Sequence, residues 1–135
     1  MARPFLDSSV LLRHLLQDDP DESIRATAYL ARIEADEVRV RTAITVVFEV
    51  VFALEHVYHQ PRATIREVFL PLLDMPGIIL PGKQRLGSVF DMYIALDLPF
   101  TTAYHVALME HFATTEIVSF DPAYDAIEGM RRITL

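Results

Sequence analysis

Short apolar runs alternate along the chain with longer segments whose apolar residues recur at helical spacing. The short runs predict β-strands at residues 3–6, 38–40, 78–80 and 116–120, and a last edge strand at 130–134. The longer segments predict helices that begin near residues 8, 20, 42–45, 62, 84 and 101–102. Strands that alternate with helices are typical of an α/β fold. We therefore expect one domain over residues 1–135, with a small, mainly parallel sheet flanked by helices.

Two of the predicted helices need more than periodicity. Residues 43–54 are apolar on almost every side, and only their length favours a helix, because a strand this long is uncommon. Asp19 and Pro20 are good residues for a helix start, and they predict the helix that runs to about Asp36. The positions expected to form the inner stripe of that helix are Ile24, Ala28, Ala31 and Ile33.

Composition narrows the class of protein. Hydrophobic residues make up 52% of the chain and charged residues 23%, which is typical of a globular domain. There is no cysteine, so a disulfide scaffold, a thiolate metal site and a cysteine nucleophile are excluded. The net charge of −7 argues against broad, non-specific binding to nucleic acid, which needs a cationic surface. A cluster of carboxylates would produce the same net charge and still leave room for a local basic rim.

The pattern also predicts a soluble protein of the cytoplasm. No long apolar run precedes Asp7, which argues against a secretory signal. The longest apolar stretch, residues 43–54, is too short to cross a bilayer and contains Glu49. We therefore expect no membrane association.

Two carboxylates follow predicted strands directly. Asp7 comes after the first strand and Asp121 after the strand at 116–120. In a parallel sheet, ligands bind beyond the carboxyl ends of the strands, so both side chains are expected at one crevice. The alternative is that Asp7 caps a helix and Asp121 begins a turn, since Asp is common in both places.

Glu49 is the only charged residue between Ala43 and Leu54. A helix that is apolar around most of its circumference is expected to remove at least part of this side chain from water. A buried carboxylate is costly unless a cation or hydrogen-bond donors meet it. The alternative is a Glu on a thin solvent-facing stripe, or one paired with an arginine.

If Asp7, Glu49 and Asp121 converge, their charges repel one another, and a divalent cation would relieve the repulsion. A set of oxygen ligands suits Mg²⁺ or Mn²⁺ better than zinc. Such a site can orient a phosphodiester, activate a water and stabilise the charge on the leaving oxygen. The three acids therefore predict metal-dependent phosphoryl hydrolysis.

Several stretches together resemble the PIN-domain ribonucleases. Residues 5–12, Phe-Leu-Asp-Ser-Ser-Val-Leu-Leu, resemble the start of these proteins, where an Asp ends the first strand and Thr-Asn is more usual than Ser-Ser. Residues 45–50 resemble the family's helix with an inward Glu. Residues 103–108 and 117–121 resemble its C-terminal helix and strand, and residues 128–133 match a common ending. The likeness spans nearly the whole chain and is greatest to the VapC-type toxins of toxin–antitoxin pairs.

The resemblance implies a three-layer PIN-like domain and a Mg²⁺-dependent endoribonuclease acting on RNA. It also implies a homodimer and an antitoxin protein that covers the active groove. Asp7, Glu49 and Asp121 correspond to metal-site residues. Ser119 corresponds to a nearby hydroxyl, and Ser9 is placed with it as a supporting residue.

One position departs from the family pattern. The usual third acidic residue begins the helix that contains Ala103, and Thr102 stands there in this chain. A hydroxyl is a weaker, neutral ligand, although it can hold a metal-bound water. Asp97 and Asp125 are possible substitute carboxylates. This departure supports an alternative function, a catalytically weakened PIN-like domain that binds protein or RNA.

Other candidates carry less weight. A haloacid-dehalogenase-type phosphatase would need Asp where Ser9 stands, and a phosphorylation receiver would need Asp after Leu80. His56 and His59 are expected to form a surface pair rather than a metal site. Arg13 is placed to meet either an RNA phosphate or a partner's acidic side chain, or is simply solvated.

Overall fold

Helices and strands follow one another in the predicted order. The computed structural model describes residues 2–135, and it contains six α-helices and four short strands within them. The helices are α1 (Ser8–Leu16), α2 (Glu22–Glu34), α3 (Ile44–Phe52), α4 (Arg62–Leu73), α5 (Leu86–Ala95) and α6 (Phe100–His111). The strands are β1 (Val40–Arg41), β2 (Ile78–Ile79), β3 (Glu116–Val118) and β4 (Arg131–Ile133). The predicted α/β class is confirmed.

Every strand pair is parallel. Val40 of β1 pairs with Ile78 of β2, and Glu116 of β3 pairs with Arg131 of β4. The predicted first strand is reduced to a single parallel bridge between Phe5 and Arg41. Parallel pairing is therefore as expected, and it is distributed over two small sheets.

The chain divides into two compact units, Met1–Leu86 and Gly87–Leu135. The sheet of β1 and β2 belongs to the first unit, and the sheet of β3 and β4 belongs to the second. The expectation that residues 1–135 form one domain stays a prediction.

The core of the first unit receives a fully buried side chain from each of its elements. These side chains are Leu11 of α1, Ile33 of α2, Val40 of β1, Val47 of α3, Phe69 of α4 and Ile78 of β2. Removing this much apolar surface from water is the main stabilising contribution to such a unit.

Helix α3 confirms the helix that the length of the apolar stretch at residues 43–54 predicted. Its buried side chains are Val46, Val47, Val50 and Val51. This spacing places them on one helical face. Thr45, Glu49 and Phe52 are exposed on the other side. The helix continues into a single π-helical turn at Ala53–Val57, where Leu54 is fully buried.

Helix α2 corrects the inner stripe expected from the sequence. Its buried side chains are Ser23, Ala26, Leu30 and Ile33. Ile24 is 69% exposed, and Ala28 and Ala31 are also exposed. The prediction was therefore wrong at all these positions except Ile33. The helix buries the face that carries Leu30, and that choice turns Ile24 to solvent.

The second unit has an aromatic core between α5 and α6. The ring of Phe100 lies 5.0 Å from that of Phe90 and 5.4 Å from that of Tyr93, centroid to centroid. These separations and the tilted orientations are favourable for aromatic pairs. On α6, Ala103 and Val106 are buried together with the polar residue Thr102.

Among residues 2–135, no helix is both long enough and apolar enough to cross a membrane.

Candidate functional site

Asp7 lies where the first extended segment turns into α1. Its backbone is extended, and its carboxylate caps the helix by accepting a hydrogen bond from the Ser9 amide. The Ser9 hydroxyl donates a second bond to the same oxygen, Oδ2, at 2.7 Å. The Ser9 hydroxyl bond, helped by the amide bond, lowers the pKa of Asp7 below its usual value. The capping role foreseen for Asp7 is present, and the exposed carboxylate keeps its charge.

Glu49 is held at the start of α1 by a buried hydroxyl. The Ser8 Oγ donates to Glu49 Oε2 at 3.1 Å, and Ser8 itself is only 8% exposed. Glu49 is exposed, which agrees with the alternative of a Glu on a solvent-facing stripe, although its bond to Ser8 is partly buried. The valines of α3 face the core, and this leaves Glu49 on the narrow polar side of the helix.

Ser8 therefore connects two sequence-distant carboxylates of the first unit. It follows Asp7 in the chain and bonds to Glu49, 41 residues further on. All the hydrogen bonds found on these two side chains come from neutral donors, namely the hydroxyls of Ser8 and Ser9 and backbone amides. Among residues 2–135, no arginine, lysine or histidine forms an ion pair with Asp7 or Glu49. The pair therefore keeps two negative charges.

A preformed centre with three protein ligands is not found. Within residues 2–135, no group of three or more His, Asp or Glu side chains is placed to hold a metal ion. Mg²⁺ does not require such a group, since it keeps several waters and usually takes one or two carboxylates plus phosphate oxygens. Asp7 and Glu49 fit that sparse requirement. The convergence of Asp7, Glu49 and Asp121 stays a prediction.

Asp121 belongs to the second unit and caps a short 3₁₀ helix, Pro122–Ala126. Its Oδ1 accepts the Ala123 amide at 2.9 Å, and its own amide donates to the Ser119 Oγ at 2.9 Å. The turn role foreseen for Asp121 is therefore present. Ser119 lies beside it, as expected, but its hydroxyl bonds to the backbone rather than to the carboxylate. Asp121 is exposed.

Asp125 is engaged by an arginine that the sequence did not single out. Nε and Nη2 of Arg132 donate to the two oxygens of Asp125, both at 2.9 Å, and Nη1 donates to the Ser119 carbonyl at 3.2 Å. The bond from Arg132 lowers the pKa of Asp125. The same bond, together with the charges of Asp125 and Asp121, raises the pKa of Arg132. A carboxylate neutralised in this way is a poor substitute ligand for a cation, which argues against the outer role considered for Asp125.

Thr102 is buried and bonded to a tyrosine. Its hydroxyl shares a hydrogen bond with the Tyr124 hydroxyl, which also lies 3.1 Å from Nδ1 of His105. Burial raises the pKa of Tyr124, and the negative charge of Asp121 adds to this rise. Thr102 thus serves a hydroxyl network of the second unit. No local pattern pointed to Tyr124, because its partners Thr102 and His105 precede it by 22 and 19 residues in the chain.

The structure also describes the histidine pair and Asp97. His56 and His59 are exposed, as expected for a surface pair. His56 Nε2 lies 3.6 Å from Glu55 Oε1, and its ring packs on Phe52. Asp97, the other substitute carboxylate considered for Thr102, follows α5 with a φ of 52°.

Comparison with known proteins assigns the chain to no family. No protein-family model matches it, and no curated protein matches it. The resemblance of its motifs to PIN-domain ribonucleases therefore stays a prediction.

Proposed function

We propose that the chain is a Mg²⁺- or Mn²⁺-dependent endoribonuclease of the PIN-domain type, with Asp7 and Glu49 as metal ligands. The observation that carries the proposal is the Ser8 hydroxyl, which fixes Glu49 next to the start of α1 at 3.1 Å. It places the Glu49 carboxylate at the same end of α1 as the Asp7 carboxylate. Asp121 is proposed as the third acidic residue, on the strength of the sequence resemblance alone.

Each ligand has its own orienting donor. Ser9 fixes the Asp7 carboxylate through a hydroxyl and an amide, and Ser8 fixes one oxygen of Glu49. Neutral donors orient a carboxylate without cancelling its charge, which is what a cation site requires. Mg²⁺ bound there would neutralise phosphodiester charge and lower the pKa of a water.

The proposal is tested by replacing Asp7 with Asn. The Asp7→Asn substitution keeps the size and the capping ability of the side chain, because Asn is also a good helix cap. It removes the charge, so we expect Mg²⁺- or Mn²⁺-supported cleavage of single-stranded RNA to fall by more than about 100-fold, beyond the loss typical of an outer-shell partner.

Asp36→Asn is the matched control for Asp7→Asn. Asp36 is an exposed aspartate of the first unit, paired with Arg39, and its φ of 61° is a conformation that Asn tolerates. Cleavage should be unchanged in this control. Full activity of Asp7→Asn, or full activity of the wild type in excess chelator, would overturn the proposal.

The resemblance adds partners to the proposal. A VapC-type nuclease would act on cellular RNA in the cytoplasm, would form a homodimer and would be inhibited by an antitoxin protein. The discriminating observation is a short antitoxin reading frame immediately upstream of the gene. Co-expression of that product should suppress both cleavage and toxicity.

A second function, that of a catalytically weakened binding module, is favoured by Thr102. Its hydroxyl is buried against Tyr124, where the resemblance would place an acidic ligand. The two functions separate in a calorimetric titration with Mn²⁺. Absence of both Mn²⁺ binding and RNA cleavage, together with a tight protein partner, would favour the binding module.

A further inference from the structure

A cleft of the first unit adjoins Asp7 and is not used by the proposed reaction. It lies between the N-terminal segment, α1 and α2, and has a volume of about 350 Å³. This volume lies within the ~300–1,000 Å³ typical of small-molecule sites. Its apolar lining includes Phe5, Leu6, Val10, Ala26 and Tyr29.

The charged lining of the cleft is balanced until a cation binds. Asp7 and Glu22 contribute two negative charges, and Arg13 and Arg25 contribute two positive ones. Asp18 and Asp21, the ion-pair partners of these arginines, add two more negative charges, which a divalent cation held at Asp7 would offset. An anion could then bind where an arginine can turn towards it, and the apolar walls would favour an anion joined to a flat apolar group.

Arg13 is the arginine of this cleft that is free to change partners. Its Nη1 lies 3.4 Å from Asp18 and its Nε lies 3.9 Å from Glu22, whereas Arg25 holds Asp21 at 2.7 Å. Strong charge-assisted bonds measure ~2.7–2.9 Å, so Arg13 is loosely held. Its Nε is also shielded from solvent and has no hydrogen-bond acceptor among residues 2–135.

A buried donor without an acceptor is unfavourable. An anion that draws the guanidinium of Arg13 towards itself would remove that cost. The planar guanidinium matches a phosphate through two parallel hydrogen bonds. The Arg13 side chain is already one-third exposed, so the movement needs no opening of the core.

Aromatic surface lies beside these charges. Phe5 is 60% exposed although it is a large apolar ring, and Tyr29 is half-buried in the wall. Stacking of a nucleic-acid base on an aromatic side chain contributes ~1–3 kcal/mol and tolerates any base. Phe5 therefore offers a stacking surface two residues from Asp7.

We propose that this cleft is a nucleotide subsite, which stacks a base of single-stranded RNA on Phe5 and Tyr29 and holds that nucleotide's phosphate with Arg13. The identity of the ligand rests on the proposed function, since the cleft and the metal site share Asp7. The subsite would place the phosphodiester next to Asp7 and would favour unpaired over duplex RNA, because a paired base cannot stack on a protein ring.

The test is a titration of the full chain with adenosine 5′-monophosphate in the presence of Mg²⁺. Binding is monitored by the chemical shifts of the backbone amides in NMR spectra. We expect saturable shifts at the amides of α1 and α2. Phe5→Leu keeps an apolar side chain but removes the ring, and Arg13→Gln removes the charge. Each should weaken binding about tenfold, the loss of one stacking or one phosphate contact.

Matched controls exist for both variants. Phe52 is 62% exposed on α3, and Arg39 is a half-exposed arginine paired with Asp36, and neither lines the cleft. Phe52→Leu and Arg39→Gln should leave binding of the nucleotide unchanged. The amide spectra also report whether each variant is folded.

The outcomes separate the subsite from the nuclease. Shifts at α1 and α2 that weaken in Phe5→Leu and Arg13→Gln support the subsite, even if no RNA is ever cleaved. The subsite proposal is overturned if millimolar nucleotide causes no shift changes, or if the changes are equal in variants and controls. The cleft would then be a candidate site for a protein partner instead. In that case, loss of cleavage in Asp7→Asn would still uphold the nuclease.

Discussion

The candidate carboxylates of the two units have different hydrogen-bond partners. In the first unit, Asp7 and Glu49 accept bonds from neutral serine hydroxyls and amides. In the second, Asp125 is clamped by both arms of Arg132, whose pKa is also raised by the charge of Asp121. Asp7 and Glu49 thus have no cationic partner, whereas much of the charge of Asp125 is cancelled.

The difference shows that carboxylates can be ranked as cation ligands by the charge of their hydrogen-bond donors. A neutral donor fixes the oxygen and leaves a full charge, whereas a bidentate guanidinium occupies both oxygens and brings a charge of opposite sign. A metal would have to displace Arg132 to reach Asp125. At Glu49, only one oxygen is bonded to a hydroxyl, which can remain in place when a cation binds.

The largest expected effect distinguishes Glu49 from Asp125. Glu49→Gln removes a proposed ligand charge, so the dissociation constant for Mn²⁺ should rise by at least about 100-fold, the upper limit for outer-shell changes. Asp125→Asn should leave that constant within about twofold, because its charge is already cancelled. Isothermal titration calorimetry measures both constants.

Two results would break this comparison. Equal loss of Mn²⁺ affinity in Glu49→Gln and Asp125→Asn would mean that ion pairing does not rank the carboxylates. No loss in Glu49→Gln would remove Glu49 from the metal site altogether. Circular dichroism of both variants checks that the fold is retained.

A smaller effect is expected from the serine that connects the two carboxylates. Ser8→Ala removes the hydroxyl on Glu49 and keeps both ligands, so the affinity for Mn²⁺ should fall about tenfold, as for other outer-shell partners. Ser23→Ala is the matched control. Ser23 is a buried serine of the first unit, 3% exposed, and its hydroxyl accepts the Asp19 amide.

The Ser23 variant should lose some stability and keep its Mn²⁺ affinity. If Ser8→Ala behaves in the same way, the bond to Glu49 is merely a structural contact between α1 and α3. The free energy of unfolding in urea, measured for both variants, separates the two roles.

Much of the fold followed from local sequence. The order of helices and strands, the parallel pairing and the helix at residues 43–54 were all predictable, because apolar spacing and segment length decide them. The buried face of α2 was not predictable. Ile24 and Leu30 are both large and apolar, and tertiary packing chose the face with Leu30.

The candidate site was predictable in its residues and not in their surroundings. Asp7 follows the first extended segment, and Glu49 interrupts an apolar helix, so both were visible in the pattern. The donors of Glu49 and Asp125 were not visible, since Ser8 lies 41 residues from Glu49 and Arg132 lies seven residues beyond Asp125. How far Glu49 is exposed was not visible either, because the width of a polar stripe depends on packing.

The polar network of the second unit is expected to act on stability alone. Tyr124→Phe removes the hydroxyl that bonds to Thr102 and His105, which should cost about 1 kcal/mol of unfolding free energy. The affinity of the chain for Mn²⁺ should not change. A loss of Mn²⁺ affinity would show that Tyr124 contributes to the metal site. The second unit would then take part in metal binding, contrary to the comparison made above.

The pH dependence of stability gives a second measure of Tyr124. Its pKa is raised in the folded protein, so the unfolded chain loses this proton first as pH rises. The contribution of Tyr124 is therefore fully present below about pH 10, its unfolded pKa, and is lost above it. Measured by urea unfolding, the free energy of unfolding should fall less steeply with rising pH in Tyr124→Phe than in the wild type. An equal fall in both proteins would contradict this assignment.

The smallest effect is expected from the Ser9 hydroxyl, which bonds to Asp7. The Ser9 hydroxyl is the main cause of its lowered pKa, so Ser9→Ala should raise the pKa of Asp7 towards its ordinary value. Carboxyl carbon NMR measures this shift directly. Because a cation competes with the proton for the same oxygens, Mn²⁺ binding to Ser9→Ala should also fail at a higher pH than binding to the wild type. The pKa of Asp7 could rise in Ser9→Ala while the pH below which Mn²⁺ no longer binds stays the same. That result would show that protonation of Asp7 does not control the site, and that the charge of Glu49 holds the cation.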